Sequence, residues 1–312
     1  MHSSSDVHAP YLTKMQVFDA SDTTWFLHLQ GAKTITGALS KREREMPCFE
    51  FILPWFDYHN VLSNYSFPAN SFGHVHQVVN INLPEWNSEN QKVSLVCFLH
   101  CFSYKRLLLT LYEIIGSLGC STELLRLISC INELRSMKDC VHCDSFQVGE
   151  GLLELSLLIR GRLQHLNQEI HIKPGESMGT INHQRITLTA EFYRVATLLY
   201  LYEVAPSQAV PEKAVQPLVN EGFRLVEQMG ICTSPWPLFI IACNVTSDIQ
   251  RLKIFAILDT MNQKRRIGNY QIIKGLIQTL WKQQDLAANE KPSRKIDWRN
   301  LIDPDSFIPS FI

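Results

Sequence analysis

The chain has 312 residues, 46% of them apolar and 19% charged, with a formal net charge of −1, so it is long enough to bury a large core and has ordinary globular composition. Near-neutral charge without a basic stripe excludes a stand-alone nucleic-acid reader, whose footprint is a Lys/Arg excess on one face; no apolar run reaches the roughly 18 residues that cross a bilayer, the longest candidate being interrupted by Lys105 and Arg106. The opening MHSSSDVHAP has no basic segment followed by an apolar stretch, so no secretory signal is expected, and nine scattered cysteines without a paired framework point to a reduced compartment, cytosol or nucleus.

Residues 1–20 are polar and expected to be loosely held. Asp22 can cap a helix whose Trp25, Leu29, Ala32, Thr36 and Leu39 step by four and three, one buried stripe, and Lys41 to Glu45 close it with mixed charge. A second helix is expected from Cys48 to Ser63, with Pro54 near its start or kinking it. Residues 66–93, dominated by Asn, Ser, Pro and Gly, read as a long surface loop. Helical pattern resumes at Ser94, and Ile114 to Cys120 lead into Ser121, an N-cap with Glu123 in the first turn. Leu124, Leu127, Ile128, Ile131 and Leu134 then share one face. Further helices are expected over 150–167, 182–203 and 215–229, separated by the turn KPGESMG after Ile172.

The last third carries the densest pattern. Pro235 and Pro237 sit where a helix accepts proline, in its first turn, and Leu238, Phe239, Ile241 and Ala242 make that helix apolar all round, which implies burial on most sides. Ser247 or Asp248 can cap the next helix, with Leu252, Phe255, Leu258 and Met261 as its apolar positions. Lys264, Arg265 and Arg266 place cations near its end, Gly268 stops it and Asn269 can cap a third helix bearing Ile273, Leu276, Ile277, Leu280 and Trp281 on one face. A buried helical hairpin behind a proline-rich entry is the expectation.

These residues carry a resemblance. Pro-Leu-Phe-Ile-x-x-Cys, Asp-x-x-Arg, Ile-Gly-Asn, Trp281 and Asp297-Trp298 together resemble the C-terminal regulatory domain of fungal zinc binuclear cluster transcription factors. The helix from Trp25 to Lys33 is similar to that family's Trp-x-x-His-Leu-x-Gly-Ala, with His28 on its histidine. WFDYHNVLS from Trp55 is similar to its aromatic-x-x-Tyr-His-Asp-Val-Leu, with Asn60 in place of the aspartate. GSLGCSTELLRLI from Gly116 and AEFYRVATLLYLY from Ala190 are also similar to family segments. The family's DNA-binding cluster needs six cysteines in a tight basic segment; within residues 1–60 only Cys48 is present. The resemblance therefore implies a regulatory domain without its own DNA reader.

Other chemistry has weaker support in the residues. Gly175 to Gly179, GESMG, fits the nucleophile elbow of hydrolases around Ser177, but the last histidine is His183 and no strand–helix alternation would hold the elbow, so an inter-helix turn is the better reading. Cys97, His100 and Cys101, with Cys140, His142 and Cys143, could bind zinc if the groups faced each other; the first group lies in an apolar helix, where cysteine packs as a small hydrophobe, and the spacing fits no compact module. His28 and His59 could serve a ligand or a pH switch but read better as packed histidines, and Trp25, Trp55, Phe56, Tyr58, Trp236 and Phe239 as core rather than the lining of an effector pocket. Asn64 and Asn244 begin glycosylation sequons by pattern alone.

The fold expected is all-α, an irregular multi-helix bundle packed in layers over 21–312 after a flexible segment 1–20. No residue is assigned a catalytic, cofactor-binding or metal-ligating role, and no enzyme is expected. The resemblance implies a transcription-regulatory module of the nucleus, with the cytoplasm as second compartment. Its implied partners are transcription machinery or other regulators, with a second copy of the chain or a small-molecule effector as further candidates, and neither direct DNA contact nor a membrane. The alternative is a helical scaffold or small-molecule-binding protein with no transcriptional role.

Overall fold

The computed structural model describes residues 25–46, 49–66, 113–115, 118–139, 146–170, 183–265, 269–290, 296–302 and 309–311. The N-terminal segment 1–20, the 66–93 loop beyond Ser66 and the helical pattern from Ser94 lie outside them. Ten α-helices and one pair of two-residue strands occupy the described residues, in keeping with the all-α expectation. They are α1 (Trp25–Ala38), α2 (Lys41–Arg44), α3 (Phe49–Ser66), β1 (Ile114–Ile115), β2 (Cys120–Ser121), α4 (Thr122–Asp139), α5 (Phe146–His165), α6 (His183–Val204), α7 (Val215–Met229), α8 (Pro235–Cys243), α9 (Asp248–Arg265) and α10 (Asn269–Glu290). Among the described residues no helix is long and apolar enough to cross a membrane. The chain divides into two compact units, one formed by residues 1–68 with 222–312 and the other by 69–221.

In the 69–221 unit, α4 packs against both α5 and α6. The stripe expected on α4 is buried at Leu124, Leu127, Ile128, Ile131 and Leu134. Ser121 caps it as expected, its Oγ accepting the Leu124 N–H at 3.3 Å. The residues before the cap do not continue the helical pattern. Ile114–Ile115 pair antiparallel with Cys120–Ser121, because Gly119 turns the chain at φ +79°, where a side chain is strained. The side chain of Gln168 ties this hairpin to α6: its Oε1 accepts the Ser121 N–H at 2.9 Å and its Nε2 donates to the Ala190 carbonyl at 2.8 Å. Basic side chains close helix ends, Lys138 donating to the Val204 carbonyl at 2.8 Å and Arg194 to that of Leu163 at 3.2 Å.

A Cβ at Gly119 would also meet Thr189 Cγ2 at 2.8 Å, whereas one at Gly230, φ +72°, meets nothing within 4 Å. Gly119→Ala is therefore expected to cost more than the left-handed penalty alone, about 2 kcal/mol or more, and Gly230→Ala about 1 kcal/mol. Urea unfolding of the two variants compares them directly; equal losses would show that the Thr189 contact gives way freely.

In the other unit α1 packs on α3, with Trp25, Leu29, Ala32 and Phe56 as one buried cluster. The charged run Lys41 to Glu45 does not end α1 but opens a turn of its own. Ser40 N–H donates to Glu43 Oε2 at 2.7 Å and Glu43 N–H to Ser40 Oγ at 3.3 Å, the reciprocal bonds of a capping box. Pro54 lies inside α3, which continues to Ser66.

Candidate functional site

All nine residues of α8 are buried. This follows from a nine-residue run, PWPLFIIAC, with no polar side chain to turn toward water, and both prolines fall in its first turn as expected. Phe239 and Trp236 pack into a cluster drawn from distant parts of the chain. Phe239 lies 4.4 Å from Phe311 and 5.0 Å from Trp298 between ring centroids, and Tyr65 lies 5.8 Å from Trp236, in the tilted or edge-on arrangements aromatic rings prefer. Asp297 caps the 3-10 turn Trp298–Leu301 by accepting the Arg299 N–H. At the far end of α8, Asn244 is buried and its Nδ2 donates to the Ile240 carbonyl at 2.9 Å, so this sequon asparagine has its amide nitrogen bonded inside the fold.

The hairpin of α9 and α10 packs on this platform. Ser247, one of the two expected caps, accepts the Gln250 N–H at 3.3 Å. Trp281 anchors α10, its indole N–H donating to the Ala242 carbonyl at 2.9 Å. On α10 the expected face is buried at Ile273, Ile277, Leu280 and Trp281, with Leu276 half-buried. On α9 the expectation needs correction. The buried positions are Ile254, Leu258 and Met261, and Leu252 is 68% exposed. Steps of three alone drift by about 60° each on a helix of 3.6 residues per turn, so Leu252 faces about 180° from Met261; the observed four-then-three spacing stays on one side.

Between the two helices runs an open groove lined by Phe255, Gln278, Trp281, Lys282, Asp285 and Leu286. Phe255 and Trp281 meet edge-on at 5.0 Å. A cation covers each aromatic side of the seam, Arg251 at 5.4 Å from the Trp281 ring and Lys274 at 5.5 Å from that of Phe255. Each cation is itself tied. Arg251 grips Asp285 in a bidentate pair at 2.8 and 2.7 Å, which raises the affinity of the guanidinium for its proton and holds the Asp285 carboxyl below the usual range. Lys274 donates to Asp259 at 2.7 Å and to the Tyr270 hydroxyl at 2.9 Å, and that hydroxyl donates to Asp259. The bond from Lys274, then that from Tyr270, pulls Asp259 down, and its bond to Asp259 pushes Lys274 up. Burial first, then the bond to Asp259, keeps the proton on Tyr270. Arg251, Asp285, Lys274, Asp259 and Tyr270 are thus each held by a neighbour, and none of the five is a free base or nucleophile.

The other candidates are dispersed. His28 is half-buried, and His59 is buried with its ring centroid 3.8 Å from that of Trp55. Trp25, Phe56, Tyr58, Trp236 and Phe239 are core, while Trp55 is half-buried. Lys264 is exposed, and the side chains of Arg265 and Arg266 lie outside the described residues. So do Ser177 with its GESMG turn, and Cys97, His100, Cys101, Cys140, His142 and Cys143. Cys120 and Cys130 are buried and their thiols are pushed far up by desolvation, which makes both poor nucleophiles. Among the described residues no three His, Cys, Asp or Glu side chains come together as a metal site. Sequence reading missed the Asp259–Tyr270–Lys274 group; the four-residue step from Tyr270 to Lys274 was its only local signal.

A family model described as the fungal specific transcription factor domain matches residues 11–312. The chain is also similar to transcription factor iacI of Pestalotiopsis fici, 21% identical over 125 residues. That match covers 40% of this chain and 33% of the relative, so it spans only about a third of the relative's length. No solved structure matches.

Proposed function

The chain belongs to the family of fungal specific transcription factor domains, and from that premise we propose that it is a regulatory module that controls transcription through protein contacts in the nucleus, with no base reading of its own. The family is one of transcription factor domains and not of enzymes. The observation that carries the proposal is the extent of the match, residues 11–312 of 312. Two features support the protein-contact reading. Net charge is −1, whereas binding DNA needs several clustered cations to neutralise phosphates and side chains that reach base edges. Two of the cations at the α9–α10 groove, Arg251 and Lys274, are already matched by Asp285 and Asp259. Transcription machinery or another regulator is the partner class this favours.

The test is to bring the module to DNA by another route. Residues 1–312 fused to an unrelated DNA-binding domain are expected to change a reporter's output, up or down, in a fungal host. Lys264→Ala, at an exposed helix end, is expected to leave that change intact. A folded, nuclear fusion that leaves the reporter unchanged across several growth conditions would overturn the proposal and favour a scaffold without transcriptional role.

A further inference from the structure

Ile249 and Leu252 are 72% and 68% exposed, and Leu286 on the neighbouring helix is 51% exposed. Ile249 and Leu252 stand one turn apart and so share a side of α9, and exposed Ala256 extends the same row by four. Leu286 adjoins Asp285, which Arg251 holds at 2.7 Å while also lying 3.5 Å from Asp248, so the apolar residues of both helices flank the ion pairs of one guanidinium. Monomeric proteins seldom leave such residues grouped together in water.

The form and charge of this face say what fits it. It carries a ridge, Ile249 and Leu252, beside a hollow, the groove floored by Phe255 and Trp281. It also carries both signs of charge. Asp248, its side chain 93% exposed, lies 3.5 Å from the Arg251 guanidinium that Asp285 also holds, so two carboxylates share one cation and the start of α9 keeps an excess negative charge, and exposed Lys282 stands one turn before Leu286 at the groove. The other pair on the face, Lys253 with Glu227 at 3.2 Å, is internally matched. An isologous interface requires one patch to complement itself about a two-fold axis. A partner of one charge sign would meet attraction and repulsion together on this surface.

We propose that the α9–α10 face is a self-association surface, docking a second copy of this chain with the Ile249–Leu252 ridge of each copy in the Phe255–Trp281 groove of the other. The two α9 helices run antiparallel about an axis near Leu252. Asp248 of each copy then opposes Lys282 of the other.

Analytical ultracentrifugation of the full chain from about 1 to 100 µM tests this, a range that reveals a micromolar dimer. A reversible monomer–dimer equilibrium is expected, weakened at least about tenfold by Leu252→Asp with the helical circular dichroism unchanged. Should Leu252→Asp lose helicity, Ile249→Asp, at the more exposed position, decides instead. Asp248→Lys and Lys282→Asp are each expected to weaken the dimer several-fold, about threefold or more, and their combination to restore it. Three outcomes overturn the proposal: a monomer throughout the range, a dimer indifferent to both apolar substitutions, or single charge reversals that weaken the dimer without rescue in the pair. A monomer that instead captures an amphipathic helix of another protein in this groove counts among the first of these. The measurement is independent of any reporter, so its failure leaves the transcriptional reading standing.

Discussion

Phe239→Asp is expected to abolish folding of the unit that contains α8. Phe239 is fully buried, in ring contact with Phe311, Trp298 and Tyr65. Losing the ring costs about 3–5 kcal/mol, and placing a carboxylate there without a cation adds several more. The sum is comparable with the roughly 5–15 kcal/mol that hold a whole domain. Far-UV circular dichroism and limited proteolysis read the result, and reporter activity of the fusion protein should vanish with the fold. Phe239→Leu, which keeps most of the volume, is expected to cost about 1.5 kcal/mol and stay folded. Leu252→Asp is the matching control, since the same carboxylate at an exposed position meets water. A wild-type melting curve for Phe239→Asp would refute the aromatic cluster.

The second large effect lies in the 69–221 unit. Arg135 is 1% exposed, and its Nη1 donates to the Tyr200 hydroxyl at 3.2 Å, which donates to Asn132 Oδ1 at 2.8 Å. Arg135→Ala removes a long side chain from a close-packed interior and takes one donor from Tyr200, an expected loss of about 3 kcal/mol. Tyr200→Phe keeps the ring and removes only the hydroxyl, with an expected cost of about 1–2 kcal/mol. Because the two residues share a bond, the double variant should fall short of additivity by about 1 kcal/mol. Arg135→Met, which keeps volume without charge, should cost less than Arg135→Ala, since replacing a buried cation by an apolar chain of similar size recovers its desolvation. Urea unfolding of the four variants checks the order; an Arg135→Ala loss below that of Tyr200→Phe would mean the network, and not the packing, dominates.

Local pattern alone specified much of this protein. The run from Pro235 to Cys243 has no polar side, so burial all round was its only stable outcome. The α4 stripe recurs at mixed steps of three and four and was buried as read, and α7 begins and ends where its pattern does, at Val215 and Met229. The Ser-x-x-Glu at Ser40 was equally present in the sequence, but the adjoining charges drew the reading toward a helix end. A row built on steps of three alone misassigned Leu252, since such a row winds around the helix. Two-residue strands such as Ile114–Ile115 are too short to show a period, so their pairing appears only when Gly119 turns the chain.

The groove was decided by tertiary structure. Arg251 meets Asp285 across 34 residues and Lys274 meets Asp259 across 15, and Tyr65 joins Trp236, Trp298 and Phe311 across most of the chain. Periodicity states which side of a helix avoids water, because that depends on the residue types of one segment. Which charge finishes beside which, and which apolar residue is left uncovered, depends on where a second segment packs, and that is fixed by the shapes of both surfaces together.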